Sequence, residues 1–259
     1  MIDLPRGIHV SGQGPAVILL HSSLSSSKQW LALVECLKNS FQVINIDILG
    51  YGSAEGVKDP KVYNFSIEIQ RIQQALQQII PNEAYHIVGH SCGGALGLKL
   101  AVENPSKVLS LSLYEPVAFH LLPQGSEARI AANKFAQEVN IDDLYLAAEK
   151  FTDFWNAKGF FRSLPERMQQ LMAKDMEKVN LDFIGLTVET YGPDDISKIK
   201  SPVMMMTGNQ SPQLSKTLAK LIVASLDNVK EVSFEAGHMG PISHASIIQP
   251  KIAEFIRDC

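Results

Sequence analysis

The feature that most constrains this chain is Gly89-His90-Ser91-Cys92-Gly93, set directly after the apolar stretch Tyr85-His86-Ile87-Val88. Gly-x-Ser-x-Gly behind an apolar run predicts a sharp strand-to-helix turn that lifts a serine hydroxyl above the edge of a sheet. Such a serine sits in strained backbone, and the glycines to either side let strand and helix pass without a Cβ clash. The motif therefore requires a buried strand before it and a closely packed helix after it. A serine held there has few structural uses and one common chemical use, attack on an acyl carbon.

The neighbouring sequence meets both requirements. Ala16 to Leu20, Gln42 to Ile46 and Val108 to Tyr114 are short apolar or β-branched runs suited to strands buried on both faces. Trp30, Leu33, Val34 and Leu37 have the spacing of one helix face, and Ile69, Ile72, Leu76 and Ile79 repeat it before Pro81-Asn82 ends the helix. After the serine, Gly94, Ala95 and Gly97 weaken a helix but allow it to lie close on a sheet, and Asn104-Pro105 stops it. Strands alternating with helices predict an α/β fold, a mostly parallel central sheet with helices on both faces.

From Phe119 to about Lys200 the rhythm changes. No buried strand is legible there, only helical patterns such as Ile130 to Val139 and Leu144 to Trp155. Strand patterns return at Val203 to Thr207 and Val229 to Phe234, and Ile248, Ile252, Phe255 and Ile256 face a final helix. An inserted stretch of roughly eighty residues is too long for a loop. The expected organisation is a core of residues 1–118 and 201–259 interrupted by a helical cap, 119–200. One undivided domain of 259 residues is within the range of α/β folds.

Chemistry-bearing residues fall at strand ends in a consistent order. His21-Ser22-Ser23 follows the strand 16–20, where a backbone N–H can point at an oxyanion. Ser91 follows the strand 84–88, and Cys92 offers a second N–H. Phe234-Glu235-Ala236-Gly237-His238 places a histidine after the last strand. Carboxyl ends of parallel strands lie on one side of a sheet, where open α/β folds carry their sites. A serine needs such a base because almost none of it is alkoxide at neutral pH.

This order, together with Asp47-Ile48-Leu49-Gly50-Tyr51-Gly52-Ser53 after the strand 42–46, resembles the α/β-hydrolase superfamily. The resemblance runs the length of the chain apart from the insertion, which matches the position of that family's cap. It implies Ser91 as nucleophile, His238 as general base, the Ser23 and Cys92 amides as oxyanion hole, and Asp47 as a turn residue. It implies, as the least committal chemistry, a carboxylesterase-like hydrolase of a small, largely apolar acyl substrate. C–C bond hydrolysis, lactone opening, a lyase step or a non-catalytic receptor are the alternatives.

One position departs from the family pattern. The acid that orients the histidine is expected after the penultimate strand, but Gly208-Asn209-Gln210-Ser211-Pro212 has Ser211 in its place. Glu115, at the end of the strand beside the nucleophile's own, is the preferred substitute. Asp194, Asp195 and Asn209 are the other candidates. His90, Phe119, Met239 and Trp155 are expected pocket residues, and the Cys92 thiol is read as a small apolar filler. The aromatics of the insertion, including Phe151, Phe154 and Trp155, are read first as its own core.

Composition bounds the partners. A net charge of −4 with no Lys/Arg block argues against nucleic acid or an anionic membrane surface. The 3 cysteines show no metal-type spacing, and Gly-x-Gly-x-x-Gly is absent, so neither metal nor cofactor is expected. A small-molecule substrate is the expected partner; oligomeric state is not readable. The start Met-Ile-Asp-Leu-Pro-Arg lacks a basic, apolar leader, and with the unpaired cysteines this points to the cytoplasm.

Overall fold

A computed structural model describes residues 4–259; Met1 to Asp3, the first residues of the expected core and of the leader reading, lie outside the described residues. Among the described residues, seven strands form one sheet in the order β1-β3-β2-β4-β5-β6-β7. They are β1 (Ile8–Ser11), β2 (Ala16–Leu20), β3 (Gln42–Ile46), β4 (Tyr85–His90), β5 (Val108–Tyr114), β6 (Val203–Gly208) and β7 (Val229–Phe234). β1 pairs antiparallel with β3, and every other neighbouring pair is parallel.

β1 is the strand that the sequence reading lacks. Its four residues include His9 and Ser11, two of the four are exposed, and it sits at an edge, so it has no apolar run to announce it. β2 and β4 are buried along their whole length, as continuous apolar runs require. Because side chains alternate across a strand, Ile18 and Leu20 enter one hydrophobic layer and Val17 and Leu19 the other. Helices α1 (Leu31–Leu37) and, at the C-terminus, α12 (Ala245–Arg257) cover the Val17 face. Helices α2 (Phe65–Ile79) and α3 (Cys92–Glu103) cover the other.

Between β5 and β6 the chain is helical: α4 (Glu127–Val139), α5 (Leu144–Trp155), α6 (Phe160–Ser163), α7 (Glu166–Lys174), α8 (Met176–Val188) and α9 (Pro193–Ile196). Its apolar residues do not make a separate core. Phe135, Trp155, Phe161 and Phe183 belong to the same hydrophobic cluster as Ile18 and Leu111 of the sheet. After β6, α10 (Gln213–Val223) leads to β7, and α11 (Gly240–Ser243) precedes α12. Among the described residues no helix is long and apolar enough to cross a membrane.

Candidate active site

The parallel sheet gathers the site at one edge. Ser23 follows β2, Ser91 follows β4, Glu115 follows β5, and His238 follows β7. Ser91 has φ 55° and ψ −117°, the strained turn that the motif requires. The close approach is tight: a Cβ on Gly93 would land on the Leu20 and His21 carbonyl oxygens, and one on Gly89 would meet the Gly93 carbonyl. Cys92 is already the first residue of α3, two positions earlier than the glycine-rich sequence suggests, because the turn feeds straight into the helix.

Three side chains form a hydrogen-bonded chain. Ser91 Oγ lies 2.9 Å from His238 Nε2. His238 Nδ1 lies 2.6 Å from Glu115 Oε2, so the imidazole donates to the carboxylate there and its Nε2 is left to accept from serine. The other Glu115 oxygen accepts from the Gly208 backbone N–H at 2.7 Å. Glu115 is fully buried, which alone would raise its pKa; the bond and charge of His238, Ser211 nearby and the Gly208 N–H outweigh this and hold it below the ordinary value. Ser211, where the orienting acid is expected from sequence, sits beside the Glu115 carboxylate, short of a full hydrogen bond. Glu115 itself has φ 43°, left-handed backbone in a non-glycine residue at the edge of the site.

The histidine loop is held from beneath. Tyr114 Oη donates to the Gly237 carbonyl at 2.8 Å, and His90 Nε2 donates to the His238 carbonyl at 2.8 Å. His90 is fully buried, its other nitrogen is 3.3 Å from Gln29 Oε1, and burial, reinforced by His238, keeps its pKa well below the ordinary value. It is a neutral support under the loop and not the pocket residue expected from sequence. Met239 is likewise not a wall residue: half-buried, it leads directly into α11 and does not line the cavity.

Trp155 and Phe119 do line the cavity. The Trp155 ring stacks on the His238 imidazole, 4.0 Å between centroids and 29° between planes. Phe119 stacks on Phe183 of α8 at 5.9 Å and 8°. Phe151 lines the cavity too while packing among the insertion's aromatics, so core and wall are here one set of residues. The cavity beside Ser91 is about 10 Å³, room for roughly one water.

The Ser23 and Cys92 backbone N–H groups have no protein acceptor among the described residues. His21 shapes this turn: Nδ1 donates to the Ser22 carbonyl at 2.7 Å and Nε2 accepts from the Ile48 N–H at 3.0 Å. Burial lowers its pKa to about 4, so it is neutral. The Cys92 thiol is buried, and burial first, then the Asp182 charge, raises its pKa well above the ordinary value; it stays a thiol. Asp194 and Asp195 lie at α9, where Asp195 caps Gly192 and pairs with Lys198. Asn209 donates to Glu235. Neither arrangement reaches His238.

Asp47 has a structural environment. Its oxygens accept from the Ser27 N–H at 2.6 Å, the Ser53 N–H at 2.8 Å and the Ser53 hydroxyl at 2.8 Å. Burial would raise its pKa, but these donors hold it far below the usual carboxylate range. A depressed folded pKa contributes stability above the unfolded value of about 3.9, lost as pH falls below it. Asp47→Asn keeps the shape but sets an NH₂ against N–H donors, and is expected to cost on the order of 2 kcal/mol near neutral pH. Thermal melts should show the gap from wild type narrowing as pH is lowered through about 4; a gap independent of pH would contradict this role for the charge.

The sequence reading missed a buried polar cluster at the same site. Asp182 of α8 lines the cavity and accepts from the Ser23 hydroxyl at 2.8 Å and Tyr51 Oη at 2.7 Å. Its other oxygen pairs with Lys178, one helical turn earlier, whose ammonium also donates to Tyr63 Oη at 3.0 Å. Tyr63 donates in turn to Glu68 at 2.9 Å. Burial would lower the Lys178 pKa, but Asp182 and Glu68 raise it above the ordinary value, so it is charged. A signal for this existed: Lys178 and Asp182 fall at i, i+4 on the same side as Val179, Phe183 and Leu186, charges set into an apolar stripe.

Ser91, His238 and Glu115 in hydrogen-bonded series, with the unpartnered Ser23 and Cys92 N–H groups, thus meet at the carboxyl edge of an open α/β sheet. Comparison with known proteins agrees on the fold. A family profile described as the alpha/beta hydrolase fold matches residues 15–245, and the chain belongs to that family. It is similar to a fluoroacetate dehalogenase of a Burkholderia species, 32% identical over 122 residues, 46% of this chain and 40% of the relative, so it spans less than half of that protein. It is similar over nearly its whole length to a pimeloyl-[acyl-carrier protein] methyl ester esterase of Legionella pneumophila, 22% identical, covering 95% of this chain and 97% of the relative. Among solved structures, the enol-lactonase of Burkholderia xenovorans matches in fold with a TM-score of 0.78 at 16% identity, over 97% of this chain and 96% of that one.

Proposed function

We propose that this chain is a serine hydrolase of a small, largely apolar ester, working through an acyl-enzyme. The observation that carries the reading is the unbroken hydrogen-bonded chain Ser91, His238, Glu115 at 2.9 and 2.6 Å. In this mechanism Ser91 Oγ attacks the carbonyl carbon while His238 Nε2 takes its proton. The oxygen that becomes negative is held by the Ser23 and Cys92 N–H groups. The imidazolium lies between the Glu115 carboxylate and the face of Trp155, both favourable to a cation. The tetrahedral intermediate collapses, His238 returns the proton to the leaving alkoxide, and an alcohol departs. Water then attacks the acyl-enzyme, giving its proton to His238, and the acid leaves as Ser91 regains a hydrogen.

The chemistry of the nucleophile separates this chain from its dehalogenase relative. If a serine oxygen displaced a halide from carbon, it would leave an alkyl ether, which water does not readily cleave. Attack on an acyl carbon leaves an ester, which the same base can hydrolyse. The ester esterase among the relatives is consistent with that choice. The helical segment between β5 and β6 would serve as a cap, and its aromatic wall favours an apolar acyl group. Cys36 and Cys259 are exposed and Cys92 buried, all unpaired, which fits a reducing compartment such as the cytoplasm.

Two measurements test the reading. A fluorophosphonate is expected to label Ser91 in the folded protein; no labelling would count against an enzyme and for a receptor of the same fold. In a series of nitrophenyl esters from acetate to octanoate, kcat/KM is expected to peak at the short acyl groups, because the cavity is small and densely walled. A maximum at octanoate would overturn the small-substrate part of the proposal.

A further inference from the structure

We propose that Asp182 is a positioning residue for the oxyanion hole, acting through the Ser23 hydroxyl, so that the helical segment takes part in catalysis as well as covering the site. This rests on reading the Ser23 N–H as an oxyanion donor. The loop after β2 needs an external tie there. Its first residues are pinned, His21 by Ile48 and Ser22 by Gln29, which accepts from both the Ser22 N–H and hydroxyl. The next residue, Leu24, has φ 53°, a conformation that costs energy unless its surroundings impose it. Between them, the Ser23 side chain is tied to Asp182 Oδ2 at 2.8 Å.

Asp182 is itself rigidly held. Tyr51 Oη donates to the same oxygen, and Lys178 pairs with the other. Lys178 is fixed in turn by Tyr63, by Glu68 at 4.0 Å, and by the Tyr51 and Tyr63 ring faces at 4.9 and 4.8 Å. Except for Lys178, every one of these partners belongs to the core, whereas Asp182 arrives on α8 of the insertion. Seating α8 therefore brings in the acceptor that fixes Ser23. A buried ion pair seldom stabilises a fold more than apolar residues of the same size would, so its place in a substrate-cavity wall is better explained by what it orients.

Ser23→Ala removes the hydroxyl but keeps the backbone N–H. It is expected to lower kcat for nitrophenyl acetate about ten- to a hundredfold, with KM within about twofold, because the interaction matters only as negative charge develops. Asp182→Asn should act in the same direction, and fluorophosphonate labelling should slow in parallel. The double variant should be no slower than the slower single variant, since both break one link. Multiplying losses, or a folded Ser23→Ala with wild-type kcat, would overturn the proposal. If Asp182→Asn fails to fold with Lys178 unpaired, a thermal melt will reveal it and Ser23→Ala alone decides. A wild-type protein that neither labels nor turns over ester would instead sink the hydrolase reading, and this inference with it.

Discussion

Replacing Ser91 with alanine is expected to abolish fluorophosphonate labelling and to lower ester turnover by about a millionfold. The size follows from the absence of a substitute. The neighbouring Cys92 is buried and its thiol is kept protonated by burial and by the charge of Asp182. His90 is occupied by the His238 carbonyl. Water admitted to the space vacated by the hydroxyl could be activated by His238, but without a covalent intermediate the acyl group must be hydrolysed in one harder step. Alanine keeps the backbone strain at φ 55°, so the melting temperature should scarcely change. A folded variant retaining more than about a hundredth of wild-type turnover would exclude Ser91 as the nucleophile.

Glu115→Gln is expected to cost about ten-thousandfold in kcat while preserving shape and burial. Glutamine can accept from the Gly208 N–H or from His238 Nδ1, but its amide must then offer an NH₂ to the other donor. The imidazole is released from the tautomer that leaves Nε2 free to take the Ser91 proton, and the imidazolium loses its counter-charge. A specific recovery experiment distinguishes this from damage to the fold. Ser211 lies next to the carboxylate, so Ser211→Asp placed in a Glu115→Ala background should restore part of the lost rate. Near-wild-type activity in Glu115→Gln would show that the acid stands elsewhere.

Much of this arrangement was legible because it rests on local patterns. The buried parallel strands declare themselves as continuous apolar runs, and Gly-x-Ser-x-Gly carries its own backbone requirement. Histidine and glutamate could be placed at strand ends by counting elements, since parallel strands bring every carboxyl end to one edge. What was not legible depends on depth. His90 is adjacent to Ser91 in sequence and Trp155 lies on a helix far along the chain, yet only Trp155 faces the cavity. The side on which a residue next to the elbow falls is set by the turn's φ and ψ, not by neighbourhood. The Asp182 and Lys178 pair was missed for another reason: at i, i+4 on a helix, opposite charges ordinarily describe a solvated face. Only packing against Tyr51, Tyr63 and Glu68 makes them an interior feature. β1 escaped because a short, half-exposed edge strand has little hydrophobic signal to give.

The single hydrophobic cluster that runs from the sheet into the inserted helices bears on how this protein can diversify. Phe119, Trp155, Val179, Phe183 and Leu186 face the cavity, and all are members of that same cluster. The residues that would choose a substrate are thus also bricks of the scaffold. A chain that stored selectivity in a detachable lobe could exchange the lobe and keep its framework. Here each change of taste draws on the cohesion of the whole molecule, so new specificities should arise in coordinated sets of substitutions whose volumes compensate one another.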